Sequence, residues 1–407
     1  MTISTSLMLL AVMLLLSLLL KPVAEKYNVP FAGLLVVTGF IGSEAVIYLG
    51  IDTGVRYDSF HDLIIFVFLP LLIFEAAFKM DMKQFLKNFI VIFFFALPVM
   101  LLSTVVAAVM IYYGIGHPTG FPLIAALLTG SILAATDPVA LLEVLRKAGV
   151  PERLCMILDG EALLNDATAI VTFSIFLYIA MHPLEDISVI DASLRFLVVF
   201  FGGAIIGLFI GFIFLFLSRL LEDYIQQAIV TLIAAYASFL VANSVHVSGV
   251  MSVLIAGFVL GRVIHHDFQD HEKRNFVDDF WSFSVYVAEA IMFLLMGVTI
   301  TVGMFEDNWL AMLIGIVAVL IARAVGVFGG APLISTLPNI ERIPMNYQHI
   351  MFVGGLRGAV TLALALSIPS ELDYWWTIQS IAFGVVLFTL FVQAPIIPML
   401  LKKLKED

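Results

Sequence analysis

The chain is 407 residues long, 62% hydrophobic and only 13% charged, with a formal net charge of −11 and a mean hydropathy of +1.10. That composition excludes a water-soluble globular chain and marks a membrane protein. The acidic balance excludes a nucleic-acid surface, which needs basic patches to neutralise phosphates, and a single cysteine, Cys155, excludes an intrachain disulfide.

A helix needs roughly 20 apolar residues to cross ~30 Å of hydrocarbon. By that ruler the sequence predicts about thirteen transmembrane helices, over residues 6–20, 29–49, 60–79, 89–113, 121–146, 153–180, 193–218, 224–244, 247–264, 276–300, 309–331, 345–368 and 375–401. The first run has no Lys or Arg before it and no small-residue cleavage site after it, so it reads as a spanning helix and not as a secretory signal. No long hydrophilic linker interrupts the series, and the last segment runs directly into Lys402, Lys403, Lys405, Glu406 and Asp407. One transmembrane domain over 1–407, without a C-terminal regulatory domain, is expected.

Lys and Arg collect in loops on the cytoplasmic side of a membrane. Assigning alternate loops to one side groups Lys21, Lys26, Lys79, Lys83, Lys87, Arg146, Lys147, Arg153, Arg219, Arg262, Lys273, Arg274, Arg342 and the three terminal lysines, while the other side receives Arg56 and Arg195. Arg323 and Arg357 fall inside segments. The bias predicts an outside N-terminus and a cytoplasmic C-terminus in the inner membrane of a bacterium.

An odd helix count fits two inverted six-helix repeats, over about 6–180 and 224–401, joined by a linker helix over about 193–218. Segments 5 and 12 would then correspond. Both carry central interruptions, Thr136-Asp137-Pro138 in one and Gly354-Gly355-Leu356-Arg357-Gly358 in the other. Proline removes a backbone donor and clashes with the preceding turn, and glycine weakens helix while permitting unusual backbone angles. Paired breaks in the two halves predict discontinuous crossing helices with a binding site between them.

Ionisable groups at membrane depth are costly, so each is a functional candidate: Glu75, Asp137, Asp159, Glu161, Asp166, Glu289, Arg323 and Arg357. On segment 6, Asp159 and Asp166 are seven apart and share a face with Ala162 between them, while Glu161 and Asn165 share another. Asp166 stands ~20 Å from the inner end of its segment and Asp137 ~13 Å from the inner end of its own. A carboxylate out of water needs a neutralising partner, and a proton or a hard, oxygen-seeking cation can each be that partner. Competition between them for one oxygen makes an exchanger, electroneutral if one proton is traded for one monovalent cation. Asn165 beside Asp166 is a donor that can orient the carboxylate.

Four stretches of the chain resemble the NhaP-type sodium/proton antiporters of the cation/proton antiporter-1 family: Phe68 to Glu75; Ala135-Thr136-Asp137-Pro138-Val139-Ala140; the run ending Asn165-Asp166; and Ala322-Arg323 with Gly326, followed by Gly355-Leu356-Arg357-Gly358-Ala359. The resemblance implies Na⁺ (or Li⁺) and H⁺ as the transported ions, no cofactor, no enzymatic activity and a homodimer. It implies Asp166 as the main cation and proton ligand, helped by Asp137, the Thr136 carbonyl and Glu75, partly through water. It implies a structural ion pair of Glu161 with Arg323, with Arg357 balancing helix ends and negative groups at the crossing. The chain departs from the family at Asp159-Gly160-Glu161-Ala162, where relatives carry Glu-Gly-Glu-Ser; water or a backbone carbonyl is expected in place of the serine hydroxyl.

Other features carry less. The stretch His265 to Arg274 reads as a cytoplasmic loop whose His265, His266 and His271 could report internal pH, and acidic outer loops could attract cations. Glu289 and His246 are explained equally well by interhelical hydrogen bonding. A cation channel would favour rings of carbonyls or charges; an intramembrane aspartyl protease would need Gly-x-Gly-Asp, which neither Asp137 nor Asp166 has. A potassium/proton antiporter on the same carboxylates is the main competitor, should Ala162 widen the site.

Overall fold

The long apolar runs form helices interrupted where proline and glycine interrupt the sequence. The computed structural model describes residues 3–27, 29–48, 63–115, 121–182, 188–221, 223–267, 271–338 and 340–406. Among these residues the chain is all helix and turn, with no strand. In order the helices are α1 (Ile3–Tyr27), α2 (Phe31–Tyr48), α3 (63–79), α4 (Met82–Gly114), α5 (Leu123–Ala134), α6 (Val139–Lys147), α7 (Glu152–Met181) and α8 (Val189–Arg219), followed by α9 (Tyr224–Ser244), α10 (Gly249–Asp267), α11 (His271–Thr299), α12 (Val302–Ile334), α13 (Met345–Val353), α14 (Ala359–Leu366) and α15 (375–406). By length and composition, eight of the described helices could cross a membrane, while Phe31–Ala45, Leu123–Ala134 and Gly249–His265 are shorter apolar stretches.

Two helices extend beyond their apolar runs. α1 continues through Lys21 and Pro22 to Tyr27, and α11 begins at His271. The expected loop from His265 to Arg274 is therefore mostly helix, because charged residues can extend a helix into water as readily as end it; residues 268–270 and the side chains of His266 and His271 lie outside the described residues.

Four of these helices contain a π turn, over Leu63–Phe68, Phe95–Val99, Val325–Gly329 and Thr389–Gln393. Each has a proline inside it or just beyond: Pro70, Pro98, Pro332 and Pro395. Proline cannot donate to the carbonyl four residues back, and its ring pushes that carbonyl aside. Those carbonyls belong to Phe66, Phe94, Phe328 and Phe391, so the widened turn falls where the normal ladder bond is lost.

The chain divides into two units, one of Met1–Asp62, Ile90–Ala169 and Glu289–Asp407, the other of Leu63–Phe89 and Ile170–Ala288. In the second unit α10 packs against α3, α8 and α9. Gly203 and Gly207 on α8 meet Ser248 and Ser252 so closely that a Cβ on either would overlap backbone, the small-residue contact by which membrane helices approach without a hydrophobic driving force. Its centre is Trp281, fully buried, stacked on Phe74 with ring centroids 4.6 Å apart and donating its indole N–H to Thr231 Oγ1 at 3.1 Å. In the first unit α4 packs on α5 and α12, and α15 packs on α5, α12 and α14. Leu141, Leu145, Leu154, Leu158, Ile350, Met351 and Leu356 form an apolar core around α6 and α13, and it is this unit that carries the two helix breaks.

Candidate functional site

The expected breaks are real. Residues 135–138 separate α5 from α6 and residues 354–358 separate α13 from α14. The two unwound stretches touch: the backbone N–H of Asp137 donates to the Leu356 carbonyl at 2.9 Å. A Cβ on Gly358 would overlap the Asp137 side chain, so glycine is required there by the closeness of the crossing.

Breaking a helix in an apolar interior exposes two sets of unpaired backbone groups with opposite partial charge. Charged side chains meet each set. The Asp137 carboxylate accepts from the backbone N–H of Val139 at 3.1 Å and hydrogen-bonds the amide of Ala359, so one carboxylate serves the N-termini of both α6 and α14. Arg357 Nη1 donates to the Ala135 carbonyl at 3.0 Å and the Ala134 carbonyl at 3.4 Å, at the C-terminal end of α5. Arg323 does the same for α13, with Nε and Nη2 donating to the Met351 carbonyl at 3.2 and 3.0 Å, while its Nη1 pairs with the Glu161 carboxylate. Glu161 and Arg323 are both buried.

On α7, Asn165 is buried and donates from Nδ2 to Thr136 Oγ1 at 3.1 Å, tying α7 to the first break. Asp166, the next residue, is half-buried and lies within Coulombic reach of Asp137 and Arg357. Asp159, two turns earlier, is half-buried 3.7 Å from Arg146, and Ala162 between them is buried. Thr136, Asp137, Glu161, Asn165, Asp166, Arg323 and Arg357 thus converge within the first unit. Glu75 belongs to the second, where Lys79 Nζ holds its carboxylate at 2.6 Å and also donates to Ser282 Oγ at 2.6 Å.

Several other candidates find ordinary roles. His246 ends the turn after α9 with φ of 59°, a left-handed position that histidine tolerates better than most residues. His265 bridges α10 and α11 through Asp278 Oδ1 at 2.9 Å. Cys155 is buried in the core around α6 and α13.

A small cavity of ≈ 20 Å³ lies at the first break between α4, α5, α7 and α12, lined by Ser103, Thr136, Glu161, Asn165, Arg323 and Arg357 among apolar neighbours. Its α4 and α12 walls meet at their π turns, where a Cβ on Gly326 would press on Val99 and Ser103 at 2.9 Å. Sequence reasoning missed this cavity, and it missed that Arg323 serves a helix end as well as an acid. A signal existed for the second: two breaks create two buried helix C-termini, and the interior holds two arginines.

Residues 11–403 match the family described as the transmembrane sodium/hydrogen exchangers. The chain belongs to that family. Family members are transporters and not enzymes, and the expected NhaP-type resemblance is borne out. Among curated relatives, the Na(+)/H(+) antiporter ApNhaP of Aphanothece halophytica is 35% identical over 84% of this chain and 65% of its own length. The low-affinity Na(+)/H(+) antiporter NhaS1 of Synechocystis is 33% identical over 95% and 72%, and the Na(+)/H(+) antiporter NhaP of Pseudomonas aeruginosa 30% over 83% and 80%. The chain thus spans a little under two thirds of the Aphanothece relative. The solved structure of the sodium proton antiporter MjNhaP1 from Methanocaldococcus jannaschii superposes with a TM-score of 0.80 over all of both chains at 20% identity, which is a likeness of fold: this is an all-α polytopic membrane protein.

Proposed function

We propose that this chain is a secondary antiporter that exchanges Na⁺ (or Li⁺) for H⁺ across a bacterial cytoplasmic membrane, trading one cation for one proton at Asp166 by alternating access. The observation that carries the reading is the charge balance where the two helix breaks cross. Half-buried Asp137 and Asp166 and buried Glu161 face buried Arg323 and Arg357 in one cluster, which leaves one negative charge. A single monovalent ion, proton or metal cation, neutralises it, and burial strongly disfavours both the uncompensated state and double occupancy. An exchange that leaves the carrier equally charged on both legs is electroneutral.

In this reading Asp166 holds the ion with Asp137 and the Thr136 carbonyl, while Asn165 orients the break through the Thr136 hydroxyl. Glu75, already neutralised by Lys79, is assigned to its ion pair and not to the inner ligands. Glu161 is the fixed counter-charge of Arg323. Na⁺ is preferred to K⁺ because the relatives' names specify Na⁺. Two inverted six-helix repeats with a linker over about 193–218 are supported by the matched breaks and by the π turns of α4 and α12, the helices that precede each broken pair. The sided distribution of Lys and Arg supports an outside N-terminus, and a homodimer rests on the family resemblance.

The test is reconstitution in proteoliposomes with a pH gradient followed by an internal dye. Na⁺ and Li⁺ added outside should dissipate the gradient and K⁺ should not, and the Asp166→Asn protein should be silent to all three. Exchange by Asp166→Asn at the wild-type rate would end this reading, and a response to K⁺ alone would replace it with potassium/proton exchange.

A further inference from the structure

Three buried polar atoms around the cavity at the first break have no hydrogen-bond partner in the protein: Glu161 Oε2, Asn165 Oδ1 and Arg357 Nε. Their residues are 1%, 2% and 5% exposed, and all three line the same cavity. Leaving a buried polar group unpaired is costly, more so when it is charged, so three around one cavity call for a partner that the cavity can hold.

Their chemistry selects it. Two are acceptors and the third, a guanidinium N–H, is only a donor. A metal cation would face the guanidinium, and a chloride would face a carboxylate and an amide oxygen. Water can donate to Glu161 Oε2 and Asn165 Oδ1 while accepting from Arg357 Nε, and three is the usual number of bonds for a buried water. It remains suited if the Asn165 amide is turned over, since it can accept from the amide N–H instead. The cavity, ≈ 20 Å³, exceeds the ~10–15 Å³ by the same measure that one water needs.

We infer that this cavity is a built site for one structural water, which joins the Glu161–Arg323 pair and Arg357 to Asn165 and thereby fixes the Thr136 hydroxyl at the edge of the ion site. Asn165 is then a positioning residue, held by water at Oδ1 and holding Thr136 through Nδ2. Its functional consequence rests on the ion-site reading above; its existence does not.

Two measurements test it. A structure of the full chain in lipid, at a resolution that shows ordered water, should show a peak within hydrogen-bond distance of all three atoms. Repacking that pairs the three atoms with protein groups, or a peak with the anomalous signal or coordination of an ion, would overturn the assignment. The second uses Ala107, a buried residue of α4 that lines the cavity. Ala107→Val should displace the water and raise the KM for Na⁺ about 2- to 10-fold, the loss of one net hydrogen bond, with kcat and the amount of folded protein unchanged. An unchanged KM would overturn the positioning role even if the water is seen. If Asp166→Asn retained exchange while the peak was present, the ion-site reading alone would fall.

Discussion

Arg323 does two jobs with one guanidinium, since Nε and Nη2 take the Met351 carbonyl while Nη1 takes Glu161. Removing either partner of such a pair leaves a buried charge with nothing to meet it, which costs about 3–5 kcal/mol, whereas replacing both with apolar groups can be close to neutral. Arg323→Leu and Glu161→Leu are therefore each expected to lower the thermal midpoint of the detergent-solubilised protein sharply. The double variant should recover part of the loss, but not all of it, because the Met351 carbonyl stays unpaired. A double variant at or below the less stable single would contradict the pairing. Asp166 should behave oppositely: Asp166→Asn removes a charge that the protein must otherwise neutralise, and its midpoint should equal or exceed that of the wild type. The intramembrane acids and arginines were legible one by one, because charge in apolar sequence is conspicuous. Which acid met which arginine came only from the family resemblance, since helical spacing places Glu161 on a face of α7 but says nothing of what α12 presents to it.

At the scale of elements, the crossing depends on how closely two unwound strands of backbone pass. Gly358→Ala would drive a methyl group into the Asp137 side chain and part the strands that the Asp137–Leu356 hydrogen bond joins. The variant is expected to insert and fold, because most of α14 is untouched, while exchange falls roughly 10- to 100-fold, the cost of misplacing reacting groups by about an ångström. Transport rates normalised to folded protein, measured in proteoliposomes, check this; a wild-type rate would show that the crossing tolerates a side chain. The breaks themselves were legible because Pro138 and the run from Gly354 to Gly358 interrupt otherwise unbroken apolar sequence. The π turns were not. Each follows from a proline that displaces the carbonyl of a phenylalanine four residues earlier, yet Pro22 lies within α1, which has no π turn. Whether a proline produces a kink, a π turn or neither is set by what the neighbouring helices can pack against, which one sequence does not display. The extension of helix across His265 and His271 was missed for a related reason, since hydropathy marks where a helix leaves lipid and not where it stops.

For the whole molecule, the composition already excluded water as the solvent, and the distribution of Lys and Arg predicts a side for each loop. What composition could not supply is the charge balance, which depends on two helices and two breaks being brought together: Asp137, Glu161 and Asp166 against Arg323 and Arg357. On the proposed reading one net negative charge accepts one monovalent ion, so the loaded carrier would be neutral at this cluster whichever ion it carries, and the membrane potential would do no work on the exchange. The most direct measurement sets opposing Na⁺ and H⁺ gradients across proteoliposomes, clamps the potential with a potassium ionophore, and finds the gradients at which net proton flux vanishes. Flux should vanish when the Na⁺ ratio equals the H⁺ ratio, at every potential imposed. A balance point that moves with potential would mean that unequal charge crosses in the two directions, and would contradict one-for-one exchange at Asp166.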